Sequence, residues 1–233
     1  MKTLIIIPAY NEQDNIKRVV DNLINNFSQH DYIIINDGSK DKTQEILVQN
    51  NYNFITLPLN LGIGGGIQTG YQYALENGYD VAIQMDGDGQ HDPAYIDLAL
   101  SEMENQSADI VIGSRYINKT GFQSTGLRRF GINFLSKLIY IICRVNVKDV
   151  TSGYRLVNRK FIEEFAENYA QDYPEPEAIV HASVLGAKIA EVPVVMRERA
   201  GGQSSISPIK SIYYMIKVSI AILLYRFTIH KRR

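Results

Sequence analysis

The segment Asp86-Gly87-Asp88-Gly89-Gln90-His91-Asp92 holds the densest chemistry in the chain. Two carboxylates one residue apart, in a glycine-bearing turn, suit a hard divalent cation that also grips phosphate oxygens of a substrate. An ordinary aspartate-glycine hairpin turn is the competing reading of this stretch alone. An EF-hand is disfavoured, because the twelfth loop position counted from Asp86 is Asp97 rather than a glutamate. His91 has no histidine or cysteine partner at ligand spacing, so a supporting or structural role outweighs direct metal binding. His30, His181 and His230 stand alone.

Three further segments could serve a ligand. Asp37-Gly38-Ser39 reads either as an Asx-type turn or as a carboxylate that accepts from a base or ribose. In Pro8-Ala9-Tyr10-Asn11-Glu12, Tyr10 could stack on a base, and a plain helix cap is the equal alternative. Gly62-Ile63-Gly64-Gly65-Gly66 fails as a dinucleotide fingerprint, because Ile67 stands where the third glycine is required; a flexible turn that lets backbone approach a ligand is expected. Arg115, Arg128, Arg129 and Arg155, with Gly126 and Gly153 nearby, form a set that could pair with phosphate oxygens.

The elements that position these groups alternate. Apolar runs at Leu4–Ile7, Tyr32–Asn36, Phe54–Leu57, Val81–Met85 and Ile110–Ile112 read as strands. Helices are expected over Glu12–Phe27, Thr43–Gln49, Ile67–Glu76 and Tyr95–Glu104. This order predicts an α/β fold with a mostly parallel sheet flanked by helices. In such sheets ligands bind beyond the carboxyl ends of the strands, where the polar segments fall. Gly201-Gly202-Gln203-Ser204-Ser205 is the candidate hinge, dividing a domain over 1–204 from an amphipathic appendage over 205–233.

The 233 residues, 45% of them hydrophobic, can bury a full core, which excludes a disordered or collagen-like chain. The net charge of -1 hides alternating blocks. Residues 1–114 carry 5 basic and 16 acidic side chains, and 115–160 carry 10 and 1; residues 161–196 carry 1 and 7, and 197–233 carry 8 and 1. Nucleic acid is not an expected partner, since the chain is not basic overall and carries no nucleic-acid motif. Cys143 is the only cysteine, which fits a reducing cytoplasm. The apolar run between Lys2 and Pro8 is only Leu4 to Ile7, too short for a secretory signal, and no stretch approaches the ~20 apolar residues of a spanning helix.

Taken together, the motifs resemble family 2 glycosyltransferases of the GT-A (Rossmann-like) fold. Within that family they are similar to polyprenyl-phosphate glycosyltransferases of the dolichol-phosphate mannose synthase kind. The resemblance covers roughly residues 3–206. It rests on Pro8–Glu12, Asn36–Asp41, Asn60–Gly64, Asp86–Pro93, Gly113–Tyr116, Asp149–Arg155 and Glu191–Pro193. It implies that Pro8, Tyr10, Glu12 and Asp37 hold the uridine or guanosine part of a nucleotide sugar, with UDP the expected nucleotide, and that Gly64, Asp86 and Arg199 also bind the nucleotide sugar. Asp86, Asp88 and Gln90 would hold Mg²⁺ or Mn²⁺ against the diphosphate. Arg115 with Arg128 or Arg129 would meet the acceptor and donor phosphates, and Glu177 matches a family glutamate in the helix after the basic block. Arg199 matches a family arginine ahead of a Gly-x-Ser-Lys segment, which here reads Gly202-Gln203-Ser204-Ser205 without the lysine. Asn36 replaces a frequent aspartate, which moves base recognition to Asp37. The C-terminal spanning helices of many relatives have no counterpart.

The implied reaction is an inverting transfer onto polyprenyl (undecaprenyl) phosphate at the cytoplasmic face of the membrane, serving cell-surface polysaccharide. The alternatives are extension of a saccharide hydroxyl, with Asp149 as candidate base, and a catalytically silent nucleotide-sugar-binding module. Ile212 to Phe227 repeats apolar residues at helical spacing ahead of Lys231-Arg232-Arg233, and Phe134 to Val145 is a second amphipathic candidate. A core-packing helix is the competing reading of Ile212 to Phe227; read as interfacial helices, both give a peripheral hold on anionic lipid, with a homo-oligomer or a small membrane-protein partner adding to it.

Overall fold

A computed structural model describes residues 1–118, 126–197 and 215–224, apart from the side chains of Leu127 and Arg128. Seven strands form one sheet: β1 (Thr3–Ala9), β2 (Asp31–Asn36), β3 (Phe54–Thr56), β4 (Val81–Gln84), β5 (Ile110–Ser114), β6 (Arg155–Asn158) and β7 (Ile189–Pro193). Their order is β3-β2-β1-β4-β6-β5-β7. All pairs are parallel except those of β6, which runs antiparallel between β4 and β5. The five strands expected from the sequence are present, and β6 and β7 extend the sheet beyond them.

β1 is buried along its whole length, as a strand must be when helices cover both faces. Its side chains alternate between two cores. Leu4 and Ile6 join the face covered by α3 (Gly62–Glu76), α5 (Gly126–Cys143), α6 (Arg159–Glu167) and α7 (Pro174–Val184). Ile5 and Ile7 join the face covered by α1 (Ile16–Asn26), α2 (Thr43–Gln49) and α4 (Ile96–Asn105). The chain proceeds from β1 outward through β2 and β3, then returns to place β4 on the other side of β1. The crevice beyond β1 and β4 is therefore the topological switch point, where an open α/β sheet takes its ligand.

Residues 215–224 form a helix that buries Val218 and Ile222 in the first of these cores. Met215 lies against Gly131 of α5, and Lys217 pairs with Asp172 at 2.6 Å. Among the described residues no helix is long and apolar enough to cross a membrane. The expected hinge at 201–205, the ends of the expected C-terminal helix and the basic triplet 231–233 lie outside the described residues.

Candidate active site

Hydrogen bonds from backbone amides to side-chain oxygens lace two loops together at the carboxyl end of the sheet. The Asn11 amide donates to Ser39 Oγ (3.0 Å) and the Lys40 amide to Asn11 Oδ1 (2.8 Å). The Glu12 amide donates to Thr43 Oγ1 (2.9 Å), and the Gln13 amide to Asp41 Oδ2 (3.1 Å). Asn11 adopts φ 56°, a left-handed conformation that asparagine tolerates. These bonds set the β1–α1 loop, with Tyr10 and Glu12, beside the β2–α2 loop, with Asp37.

Asp37 reaches the next element. Its Oδ1 and Oδ2 accept the amides of Leu61 (2.7 Å) and Gly62 (2.9 Å), two orphan donors at the positive end of α3. The glycine run thus opens a helix, and the expected flexible turn is corrected: a carboxylate at its N-terminus lets a Gly-rich sequence start helical. Gly64 does not line the cleft. A Cβ there would lie 2.3 Å from the Ala170 carbonyl oxygen and 2.4 Å from that of Gln171. Gly64→Ala is accordingly expected to cost about 1–3 kcal/mol through overpacking. Thermal unfolding checks this, and an unchanged midpoint would remove the packing role.

A cleft of about 590 Å³ lies over the switch point, lined by Pro8, Tyr10, Glu12, Asp37, Asp86 and Asp88 among others. Six of the residues singled out from the sequence meet here. Tyr10 is 42% exposed, which leaves its ring free to stack. Asp86 lies two residues past the end of β4, and its turn is held from below. The Asp86 amide donates to His91 Nδ1 at 3.0 Å, and the Gln90 amide donates to Asp88 Oδ1 at 2.9 Å. His91 is buried edge-on to the Tyr154 ring, with centroids 5.3 Å apart. Burial, helped by the Arg115 charge and opposed by Asp88 and Asp149, pulls its pKa down to about 4. The ring is neutral, and with Nδ1 accepting, its proton sits on Nε2.

Two carboxylates that share a cleft fit a divalent cation. Among the described residues no cluster of three or more metal-ligating side chains exists. Asp86 and Asp88 would thus supply one or two oxygens, and water and phosphate the rest, the usual arrangement for Mg²⁺. Gln90 does not line the cleft: its Nε2 donates to the Arg197 carbonyl (3.2 Å), while the Arg197 amide donates to the Gln90 carbonyl (3.0 Å). Gln90 therefore clamps the turn to the strand-exit segment after β7, where Arg197 also pairs with Asp92 at 2.5 Å.

Arg115 is buried and committed. Its Nε and Nη2 each donate at 2.7 Å to the two oxygens of Asp149, and Nη2 also reaches Thr151 Oγ1 at 3.1 Å. Burial pushes its pKa down, but the Asp149 hydrogen bonds and charge, aided by Tyr116 and Asp86, leave it raised overall. Asp149 is 0% exposed, so its candidacy as a general base is corrected: its oxygens hold Arg115 and face no solvent. Asp149 is itself held by Glu191, whose Oε1 and Oε2 accept the amides of Asp149 (3.0 Å) and Lys148 (2.9 Å). Arg155, grouped with the phosphate arginines by its type, is buried in β6 and bonds to the carbonyls of Ser152 (2.8 Å) and Val150 (3.2 Å).

Arg129 sits on α5 with its guanidinium 4.3 Å over the Tyr116 ring. Both line a second cavity of about 490 Å³ with Asn133, Ser136, Lys137 and Lys148. Among the described residues three cations, Arg129, Lys137 and Lys148, line it and no carboxylate does. Reading the sequence for arginines missed Lys137 and Asn133, although the 129, 133, 137 spacing puts them on one helix face. Arg115 feels the charge of Asp86 in the cleft and sits 5.3 Å from the ring of Tyr116, which lines this pocket. Glu177 lies elsewhere, in a cleft of about 800 Å³ between α6, α7 and the 215–224 helix. Burial and Asp172 raise its pKa, with Lys217 opposing. The structure thus does not bring Glu177 to the paired carboxylates. Arg199 and the Arg128 side chain lie outside the described residues.

A model of glycosyl transferase family 2 matches residues 4–166. The UDP-N-acetylglucosamine–dolichyl-phosphate N-acetylglucosaminyltransferase of Methanococcus voltae is 34% identical over 210 residues, covering 82% of this chain and 83% of the relative. The undecaprenyl-phosphate mannosyltransferase of Micrococcus luteus is 28% identical, covering 89% and 88%. Among solved structures, glucosyl-3-phosphoglycerate synthase from Mycobacterium tuberculosis, in complex with Mn²⁺, uridine diphosphate and phosphoglyceric acid, aligns with a TM-score of 0.70 at 19% identity, covering 97% of this chain and 78% of that one. The fold is the GT-A arrangement expected from the motifs.

Proposed function

This chain belongs to glycosyl transferase family 2, and from that premise we propose that it moves a sugar from a UDP-sugar onto a polyprenyl phosphate. One observation carries the reading: one cleft holds paired carboxylates, and a second pocket is lined, among the described residues, by Arg129, Lys137 and Lys148 with no carboxylate. The cleft suits a metal-bound diphosphate, and the pocket suits a second phosphate that arrives without a metal. The named activities of the archaeal and Micrococcus relatives support a polyprenyl-linked phosphate as that second group.

In this reading Tyr10 stacks on the base, and Pro8, Glu12 and Asp37 wall the nucleoside. Asp86 and Asp88 hold Mg²⁺ or Mn²⁺, which would stabilise charge developing on the leaving diphosphate. The acceptor oxygen attacks the anomeric carbon as the bond to the diphosphate breaks, inverting the configuration. A phosphate monoester, with a second pKa near ~6, is already an anion at neutral pH. It needs positioning rather than a base, in keeping with the burial of Asp149. Arg129 provides that positioning, with Arg115 adding positive charge from beneath.

Peripheral attachment to the cytoplasmic face of the membrane completes the proposal. Phe130, Phe134 and Ile141 of α5 are exposed, as are Ile216, Ile220 and Leu224 of the neighbouring helix. Together they offer two amphipathic faces side by side, and self-association or a small membrane protein would add to their hold. Incubation with a panel of labelled nucleotide sugars and undecaprenyl phosphate is expected to yield a lipid-linked product labile to mild acid. An acid-stable glycoside would overturn the acceptor assignment. In liposome flotation the full chain is expected to rise with anionic vesicles, and a chain ending at Ser205 that rises equally would overturn the attachment.

A further inference from the structure

The Asp86 amide occupies a gap in the sheet. On one side of β4 its neighbours complete the ladder with β1: the Met85 amide donates to the Ile6 carbonyl at 3.0 Å, and the Gly87 amide to the Pro8 carbonyl at 3.3 Å. The Asp86 amide faces the other way, toward β6, whose pairing with β4 stops at Gln84 opposite Arg155. A buried backbone donor without a strand partner must find another acceptor. His91, five residues on, folds back beneath the turn and supplies Nδ1 at 3.0 Å. Tyr154 closes one edge of the ring. The return of the chain is tight: Gly89 adopts φ 79°, and a Cβ there would lie 2.4 Å from Arg18 Nη2.

We infer that His91 is a positioning residue, whose Nδ1 holds the Asp86 peptide so that the Asp86 and Asp88 carboxylates present to one cation. The role rests on the metal reading given above and names the part of this chain that prepares the site for metal. It differs from packing in a testable way. A filler needs only the shape of the ring, whereas a positioning acceptor needs one atom in one place. Asparagine presents its side-chain oxygen where Nδ1 stands, glutamine presents its polar atoms farther out at the level of Nε2, and phenylalanine keeps the shape with no acceptor.

The measurement is Mn²⁺ binding in the presence of UDP, read from the free Mn²⁺ spin-resonance signal, with the unfolding midpoint of each variant taken without metal. His91→Asn is expected to bind Mn²⁺ within about threefold of the wild type. His91→Gln and His91→Phe are expected to weaken it about 10- to 100-fold, the usual cost of removing a group that orients a ligand. Amide hydrogen exchange at Asp86 is expected to stay slow in the asparagine variant and to accelerate in the other two. A phenylalanine variant that binds like the wild type, or an asparagine variant that falls as far as phenylalanine, overturns the inference alone. A wild-type protein that takes up no Mn²⁺ with UDP overturns the metal reading itself, and the inference with it.

Discussion

Asp88→Asn is expected to lower sugar transfer about 10²- to 10³-fold with the fold unchanged. The side-chain oxygen that accepts the Gln90 amide survives in asparagine, so the turn retains its internal bond. What is lost is one charge of the Asp86–Asp88 pair, and with it much of the hold on a cation worth several kcal/mol of transition-state stabilisation. A loss of ~3–4 kcal/mol corresponds to that range of rate. Asp88 is part-exposed at the cleft, so no buried charge is left unpaired and the unfolding midpoint should barely move. Steady-state kinetics across a Mn²⁺ series check it, and excess metal should restore part of the rate. Transfer at the wild-type rate would remove the metal assignment.

Asp149→Asn should act in the opposite sense, on stability first. The substitution leaves the Arg115 guanidinium buried beside a neutral amide that can meet only one of its two donors. Breaking a buried pair from one side costs about 3–5 kcal/mol. For a chain of this size that is a fall of roughly 10 °C or more in the midpoint. The companion is the double variant Arg115→Met with Asp149→Leu, which removes both charges and should recover much of that stability. Transfer should not recover with it, since the positive charge under the cleft is gone. Urea unfolding and kinetics on the same three proteins separate the effects. A single variant as stable as the wild type would show that the pair is not what holds the 149–152 loop to β5.

The first half of the fold was legible because its strands are buried on both faces and read as unbroken apolar runs. The expected helix over Thr43–Gln49 matches α2 residue for residue. The second half was not. β6 reads Arg-Leu-Val-Asn, four residues led by a cation, and becomes a strand only because β4 and β5 offer edges on both sides. α3 begins five residues earlier than expected, because Asp37, 25 positions before Gly62, caps a glycine run that local propensity disfavours.

The residues able to carry the chemistry are legible in residue order alone: the Asp86 and Asp88 pair, the loop residues from Pro8 to Asp37, and the separation of acidic from basic blocks. Residue type and a strand-ending position suffice for that, since strand ends of a parallel sheet must gather at one edge. Which partner each charge takes is set by packing. Arg115, Arg129 and Arg155 look alike in the sequence. Packing gives the first a buried carboxylate, leaves the second over an aromatic ring in a cationic pocket, and spends the third on backbone carbonyls. The partners that divide these three guanidiniums come from strands and loops that only the folded chain brings together.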